Sequence, residues 1–302
     1  MPLLILGGRG NLGAQLAKNL SVDYPVVAWD REDLDFLHFD DLAERIRELK
    51  PEIIINAAAY NNVDKCEDKT DYETALKLNR DLPGLLADLS RELDATLIHY
   101  SSDYVFNGLP NKPAFAEDDT PNPINKYGES KFLGEREILR RVDSAAGHGF
   151  RPFKYYLVRT SKLFGPKGFS PLAKPSFFDI MLEVAQNKKD LTVVNEELSC
   201  FTYTPDLAAA TRRLFELEMP FGIYHLVNEG PVTWYEGVQE LFHLKKIKAL
   251  VRPVRSENLD RAARRPKYSV LKNTKARKLR HWRVALKEYL EDQAESKFQM
   301  VS

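Results

Sequence analysis

The sequence predicts an α/β fold, a doubly wound parallel sheet with a smaller C-terminal substrate domain. Three observations predict it. Short apolar runs alternate with helix-length amphipathic segments through the first half, a glycine-rich turn joins the first run to the first helix, and the alternation loses its regularity past residue 160. A chain of 302 residues has room for one large domain and a smaller one, which places the division at 1–160 and 161–302. The second part is expected to exchange elements with the first.

The strands are predicted at 3–6, 26–29, 53–56, 96–100 and 155–159, each continuously apolar or nearly so. Between them, residues 12–20, 42–49, 72–93 and 127–141 carry apolar side chains at helical spacing. Strands covered by crossover helices on both faces form a parallel sheet. In the second half the Gly/Pro-rich stretch 163–176 reads as a loop and is followed by a helix over 177–186. Another helix follows Pro205, and a strand is expected at 223–227.

Composition narrows the function classes. Forty-four basic and 44 acidic residues cancel, which gives no reason to expect a nucleic-acid or membrane-surface partner. Two cysteines, Cys66 and Cys200, make no disulfide framework and no C-x-x-C pair. No His/Asp/Glu spacing suggests a metal site, so none is expected. No run approaches the roughly 18 apolar residues of a membrane span, and no basic leader opens the chain, so a cytoplasmic location is expected.

Gly7-Gly8-Arg9-Gly10-Asn11-Leu12-Gly13 follows the first strand and opens the first helix. Gly8, Gly10 and Gly13 satisfy G-x-G-x-x-G, and Gly7, Gly10 and Gly13 the wider G-x-x-G-x-x-G. Glycines permit a tight turn and close backbone approach to a pyrophosphate at the positive helix N-terminus. An acidic residue, Asp30, ends the second strand about 20 residues on, as a Rossmann dinucleotide site requires. Asp30 suits the ribose hydroxyls of NADH, and Arg31 suits the 2′-phosphate of NADPH. Both cofactors stay open.

Tyr127 and Lys131 are four apart, hence one turn apart on one helix face, and Ser102 lies 25 residues upstream at the end of a predicted strand. A tyrosine of ordinary pKa near 10 is a poor acid–base group at neutral pH. A neighbouring ammonium favours its phenolate. Ser102 is read as polarising a substrate carbonyl, and Tyr127 as donating a proton to its oxygen while the cofactor delivers hydride to carbon.

At these residues the chain resembles the extended short-chain dehydrogenases, and within them the dTDP-4-dehydrorhamnose reductase branch. The matching segments are Ile55-Asn-Ala-Ala-Ala-Tyr60, Val63-Asp-Lys-Cys-Glu67, Ser101-Ser-Asp-Tyr-Val-Phe106, Tyr127 to Lys131 with Gly134-Glu135, Val158-Arg-Thr-Ser161 and Thr202-Tyr-Thr-Pro-Asp-Leu207. Gly222-Ile-Tyr-His-Leu226 and the Arg265-Pro, Ser269, Leu271 pattern extend the match nearly to the C-terminus. The resemblance implies reduction of the 4-keto group of a nucleotide-linked 4-keto-6-deoxy sugar. It also implies a cofactor groove lined by Ala57, Ala58, Ala59 and Tyr60, with Asn79 on the cofactor side and Asp35 near the adenine. Asn11 and Leu12 belong to the pyrophosphate turn. Ser102, Asp103 and Tyr104 flank the substrate, and Lys131 bonds the nicotinamide ribose. A homodimer is expected by analogy with the fold.

Three departures fall in the substrate half. Where the family has Trp after Arg-Thr-Ser, this chain has Lys162; where the family has Thr after the tyrosine, it has Asn61; and the loop from Gly165 to Pro175 is longer. The sugar is therefore expected to differ from dTDP-4-dehydrorhamnose.

Cys200 precedes the segment expected at the substrate and is carried as a substrate contact, with an acid–base role weighed against simple packing. His99 and His225 are read as core histidines. The basic run from 252 to 283 is read as mostly solvated, with one or two of Arg264, Arg265 and Lys267, Arg265 foremost, meeting the substrate's diphosphate. Two other functions stay open: a nucleotide-sugar epimerase or epimerase–reductase, and a non-catalytic NAD(P)-binding regulatory subunit, as in the methionine adenosyltransferase β-subunit that shares this fold.

Overall fold

The structure, a computed structural model, describes residues 2–109, 113–145 and 153–299. Strands β1 (Leu3–Leu6), β2 (Val26–Trp29), β3 (Ile53–Asn56), β4 (Thr96–Ser102) and β5 (Tyr155–Thr160) join the later strand Gly222–His225 in one six-stranded sheet. Its order is β2-β1-β3-β4-β5 followed by Gly222–His225, and every pairing is parallel.

The apolar strands are continuous because both faces are covered. In β1, Leu3 and Ile5 point into one core and Leu4 and Leu6 into the other, all four at 0% exposure. Helix α1 (Asn11–Leu20) and the later helix Thr204–Glu216 cover the first face through Leu12, Leu16, Leu207 and Leu214. On the second face lie α2 (Phe39–Leu49), α4 (Leu82–Glu92) and α5 (Lys126–Ala145), with Leu42, Ile46, Leu86 and Ile138 inward. The chain leaves β1 toward β2 on one side and returns to β3 on the other. The carboxyl ends of β1 and β3 thus form a topological switch point, where ligands bind in open α/β sheets.

The helix expected over 72–93 forms, running from Lys69 to Glu92 with a π turn inside it. The chain forms α3 (Lys69–Leu76), a π turn at Lys77–Asp81 and then α4, with Pro83 in its first turn. Asn79 sits in the π turn and its amide is fully buried against a neighbouring backbone, which a regular helix would not allow at that register.

Past residue 160 a second core gathers Phe164, Phe178, Phe201, Val238, Trp282 and Tyr289. Helices Phe177–Asn187 and Trp234–Lys245 each open with a capping box, Ser176 with Asp179 and Thr233 with Glu236. Strand Asp190–Val194 pairs in parallel with Leu250–Val254, so part of the basic C-terminal stretch is β structure. Among the described residues no helix is long and apolar enough to cross a membrane.

Candidate active site and dinucleotide groove

The glycine turn lies at the switch point. Gly7 adopts φ +77°, a region open chiefly to glycine, and a Cβ there would come within 2.8 Å of the Ala58 backbone nitrogen. β1 therefore delivers its turn directly against the 57–60 segment that leaves β3. Gly13 packs its Cα against the Gly7–Gly8 backbone, 2.8 Å from where a Cβ would stand, and so docks α1 on the turn. A Cβ on Gly10, by contrast, would have only the Gly7 oxygen nearby, at 3.2 Å. Gly10 caps α1 without a side chain, and the helix carries no acid in its first turn. This open, unscreened helix N-terminus fits a dinucleotide pyrophosphate.

Asp30 closes the turn from below. Its carboxylate, 5% exposed, accepts hydrogen bonds from the Arg9 backbone at 2.9 Å and the Arg31 backbone at 2.8 Å. The Arg9 guanidinium pairs with Asp33 at 2.6 Å, and the Arg31 side chain stays 60% exposed. Asp35 is exposed and accepts from the Leu37 backbone at 3.0 Å.

Asn79 acts on the groove through the backbone. Its Oδ1 accepts from the Tyr60 backbone nitrogen and its Nδ2 donates to the Tyr60 carbonyl, both at 2.9 Å. The same Nδ2 donates to Ser130 Oγ at 2.9 Å, and Ser130 donates to the Tyr127 carbonyl at 2.7 Å. The π turn thus ties the 57–60 segment to the helix that carries Tyr127. Tyr60 in turn donates its hydroxyl to Asp71.

Ser102 is the last residue of β4. Its Oγ donates to Asp103 Oδ1 at 3.2 Å and accepts from the Tyr104 backbone at 3.2 Å, and the residue lines the same cavity as Tyr127. Tyr127 stands in the first turn of α5. Asn125 caps that turn by accepting from the Gly128 backbone at 2.7 Å, and the absent side chain of Gly128 lets α5 close on the Tyr104 carbonyl. The Tyr104 and Tyr127 rings meet edge to face at 5.7 Å.

Burial pushes the Tyr127 phenol well above its ordinary pKa, with Ser102 pulling the other way. Lys131, 2% exposed, donates to the Tyr100 carbonyl at 2.7 Å. Burial lowers its pKa to about 8, and Glu135, one turn further along α5, raises it. The Lys131 ammonium is held on the strand backbone, one turn along α5 from Tyr127.

These groups open on a cavity of about 340 Å³ lined by Asn61, Val63, Ser102, Asp103, Tyr104, Tyr127, Lys162, Glu197, Trp234, Arg261 and Arg265. Asp103 is 2% exposed and accepts from Ser161 at 2.8 Å and Ser269 at 2.6 Å. Burial raises its carboxyl pKa against the pull of those hydroxyls. A second part of the lining is polar. Lys162, at φ +36°, donates to the Glu197 carbonyl at 3.0 Å and stands 3.9 Å over the Trp234 ring. Burial lowers its pKa to about 8 while Asp103 raises it. The Glu197 carboxylate accepts from Trp234 at 2.9 Å, from Ser256 at 2.6 Å and from Arg261. Arg265 forks onto Asp64 at 2.7 and 2.6 Å and holds that carboxyl down to about 2.

The cavity therefore gathers seven residues singled out by sequence: Asn61, Ser102, Asp103, Tyr104, Tyr127, Lys162 and Arg265. Cys200 is not among them. It is 2% exposed in a core with Val105, Phe106 and Val227, its thiol faces the Leu271 carbonyl at 3.7 Å, and burial pushes its pKa up to about 12. A thiol so held is a packing group. Arg264 lends only its carbonyl, to Asn125, and Lys267 is 64% exposed beside Glu196. Val63, Glu197, Trp234 and Arg261 were missed. Trp234 stands just inside a capping box, a pattern that announces a helix start but not a cavity wall.

Both histidines are buried. His225 Nδ1 faces the carbonyls of Phe115 and Lys272 at 3.1 and 3.2 Å, and burial lowers its pKa to about 4. His99 pairs through Nδ1 with Asn56 at 3.1 Å, and its Nε2 has no hydrogen-bond partner.

Residues 1–295 match the family model described as the RmlD substrate binding domain. A relative from Bacillus subtilis, named spore coat polysaccharide biosynthesis protein SpsK, is 33% identical, covering 97% of this chain and 98% of its own. The solved structure of a dTDP-4-dehydrorhamnose reductase from Clostridium acetobutylicum superposes with a TM-score of 0.87 at 32% identity, over 97% of this chain and 100% of its own. A dTDP-4-dehydrorhamnose reductase from Bacillus anthracis, in complex with NADP, gives 0.86 at 29% identity over 96% and 99%.

Proposed function

Because the chain belongs to the family of the RmlD substrate binding domain, we propose that it reduces the 4-keto group of a nucleotide-linked 4-keto-6-deoxy sugar with NADPH or NADH. Relatives over nearly the whole length are named dTDP-4-dehydrorhamnose reductases, one of them holding NADP. The observation that carries the reading is the meeting of Ser102 and Tyr127 in one cavity, with buried Lys131 one turn along the same helix.

A reduced nicotinamide, when bound, supplies hydride to the carbonyl carbon. The glycine turn, the N-terminus of α1 and the 57–60 segment hold the dinucleotide. Of the two cofactors the inward-turned Asp30 carboxylate and the exposed Arg31 guanidinium favour NADPH. Ser102 turns its hydroxyl from Asp103 to the substrate's carbonyl oxygen, which orients the carbonyl. Tyr127 gives its proton to that oxygen as the C=O bond becomes C–O–H. Its raised pKa keeps the phenol protonated at neutral pH, which is the state a reduction consumes. The phenolate left behind is stabilised by the Lys131 ammonium, whose pKa of about 8 leaves it charged at neutral pH. Tyr127 is then reprotonated from solvent.

The polar wall supports a sugar other than dTDP-4-dehydrorhamnose. Three donors already engage the Glu197 carboxylate, whereas Lys162 makes one hydrogen bond of three, so the wall offers chiefly a donor to the substrate.

The test supplies purified protein with NADPH or NADH and a panel of nucleotide-linked 4-keto-6-deoxy sugars. Stoichiometric cofactor oxidation with formation of the 4-hydroxy sugar supports the reading. Inversion of a ring carbon without net oxidation, or tight cofactor binding with no turnover of any sugar, contradicts it.

A further inference from the structure

The segment 165–175 lies across the glycine turn. The Gly168 backbone nitrogen donates to Asn11 Oδ1 at 2.9 Å, and Asn11 Nδ2 donates to the Lys174 carbonyl at 2.9 Å, so one side chain grips the segment at two points six residues apart. The Ser170 backbone nitrogen donates to the Arg9 carbonyl at 3.0 Å, and its hydroxyl to Glu32 at 2.9 Å. Gly168 is in backbone contact with the turn, where a Cβ would stand 2.5 Å from the Gly10 carbonyl carbon and 2.8 Å from the Asn11 nitrogen. Asn11 is the first residue of α1, and its nitrogen is one of the free donors at the helix N-terminus. Between them, residues 165 and 175 include Lys167 and Lys174 and no acid.

We propose that this segment is a strap forming the outer wall of the dinucleotide site, with Asn11 as its latch, so that the cofactor enters and leaves only when the strap lifts from the glycine turn. The proposal rests on the reading of that turn as the pyrophosphate site. Three features carry it. The strap's contacts fall on Arg9, Gly10 and Asn11, the residues that frame the phosphate-binding helix end. Asn11, whose place in the motif suggests direct phosphate contact, has both side-chain polar atoms on the strap instead. The strap's two cations and lack of acids suit a wall around a diphosphate. Its exposed tip, with Phe169 82% and Leu172 62% exposed, leaves it free to lift without unpacking a core.

Stopped-flow fluorescence of NADPH with the full-length protein tests this, with association and dissociation rates measured separately. Gly168→Ala drives a methyl against the Arg9–Asn11 backbone and forces strap and turn apart. Ser170→Ala removes the Glu32 bond and leaves the backbone contact. In Gly168→Ala both rates are expected to rise, on the order of tenfold, as closure loses one or two hydrogen bonds; in Ser170→Ala they are expected to rise by less. Amide hydrogen exchange at 166–174 should quicken in the same order and slow again on NADPH binding. Rates unchanged in both variants overturn the strap. So does faster association with unchanged dissociation, which describes an obstacle rather than a wall. If the wild type binds neither NADPH nor NADH, the cofactor reading itself fails and the strap with it.

Discussion

The Lys162 ammonium stands 3.9 Å over the Trp234 ring, in the lining of the cavity that Ser102 and Tyr127 share. The lysine occupies the position where relatives were expected to carry Trp, and the indole that borders this cavity comes instead from the helix Trp234–Lys245. The wall keeps an aromatic surface but gains a buried cation.

That cation predicts a substrate preference. A charge-assisted hydrogen bond contributes about 1.5–3 kcal/mol, or roughly 10–150-fold in kcat/KM. Lys162→Met should lower kcat/KM by that range for the preferred sugar and leave the NADPH dissociation constant within about twofold. The wild type should turn over dTDP-4-dehydrorhamnose less well than a related 4-keto sugar with an acceptor oxygen toward Lys162. Equal kcat/KM across the panel, unchanged by Lys162→Met, would remove Lys162 from recognition.

The two buried lysines set stability and turnover against each other with pH. Lys131, near Glu135 and His99, and Lys162, near Asp103 and Glu197, both titrate at about 8 in the folded protein, against 10.5 for an ordinary lysine. Between about pH 8 and 10 the unfolded chain binds more protons, so stability rises with pH, by up to about 1.4 kcal/mol per unit for each lysine. Turnover falls over the same window as Lys131 loses its charge. Thermal melts from pH 7 to 9.5 should show Tm rising, with a shallower rise in Lys162→Met. A falling Tm in the wild type, or an equal slope in the variant, contradicts the assignment.

Acid acts through His225 and His99. Burial holds both below the ordinary 6.5, His225 at about 4, so the folded state disfavours the protons that the unfolded chain accepts. Stability is therefore lost as pH falls from 6.5 toward 4. Replacing His225 with Gln should flatten that part of a Tm-against-pH curve, and a curve of unchanged shape would place the acid sensitivity elsewhere.

Behind the cavity, Arg159 and Glu135 form an ion pair at 2% and 0% side-chain exposure, with hydrogen bonds of 2.9 and 2.7 Å. Ser101 adds a third bond to Glu135 at 2.5 Å. The pair ties β5 to α5 one turn beyond Lys131. Arg159→Met leaves Glu135 buried without its cation and should cost about 3–5 kcal/mol by denaturant unfolding. A loss below 1 kcal/mol would show that the pair is not needed to hold α5.

Much of this was legible in the sequence where local chemistry decides structure. The first three strands begin and end where expected, because continuous apolar runs bounded by Gly, Pro or charge leave one solution in a sheet covered on both faces. The positions of the glycine turn and of Tyr127 and Lys131 on one helix were legible for the same reason, since spacing alone places them. Tertiary contacts were not legible. The helix read over 72–93 carries a π turn at Asn79, whose amide pairs with the Tyr60 backbone, 19 residues away. Glu197, Trp234 and Arg261 meet only when three separate stretches of the second half pack together. Cys200 was misplaced by its neighbours in sequence, as the chain turns its thiol into the core at Leu271.

The most direct test of the account is the single substitution Tyr127→Phe, assayed by cofactor oxidation with the best sugar of the panel and by NADPH binding. The account predicts a loss of kcat of about 10²–10⁴-fold, with the cofactor still bound, because the phenol is the proton donor and not part of the dinucleotide turn. A variant that keeps wild-type turnover would contradict it.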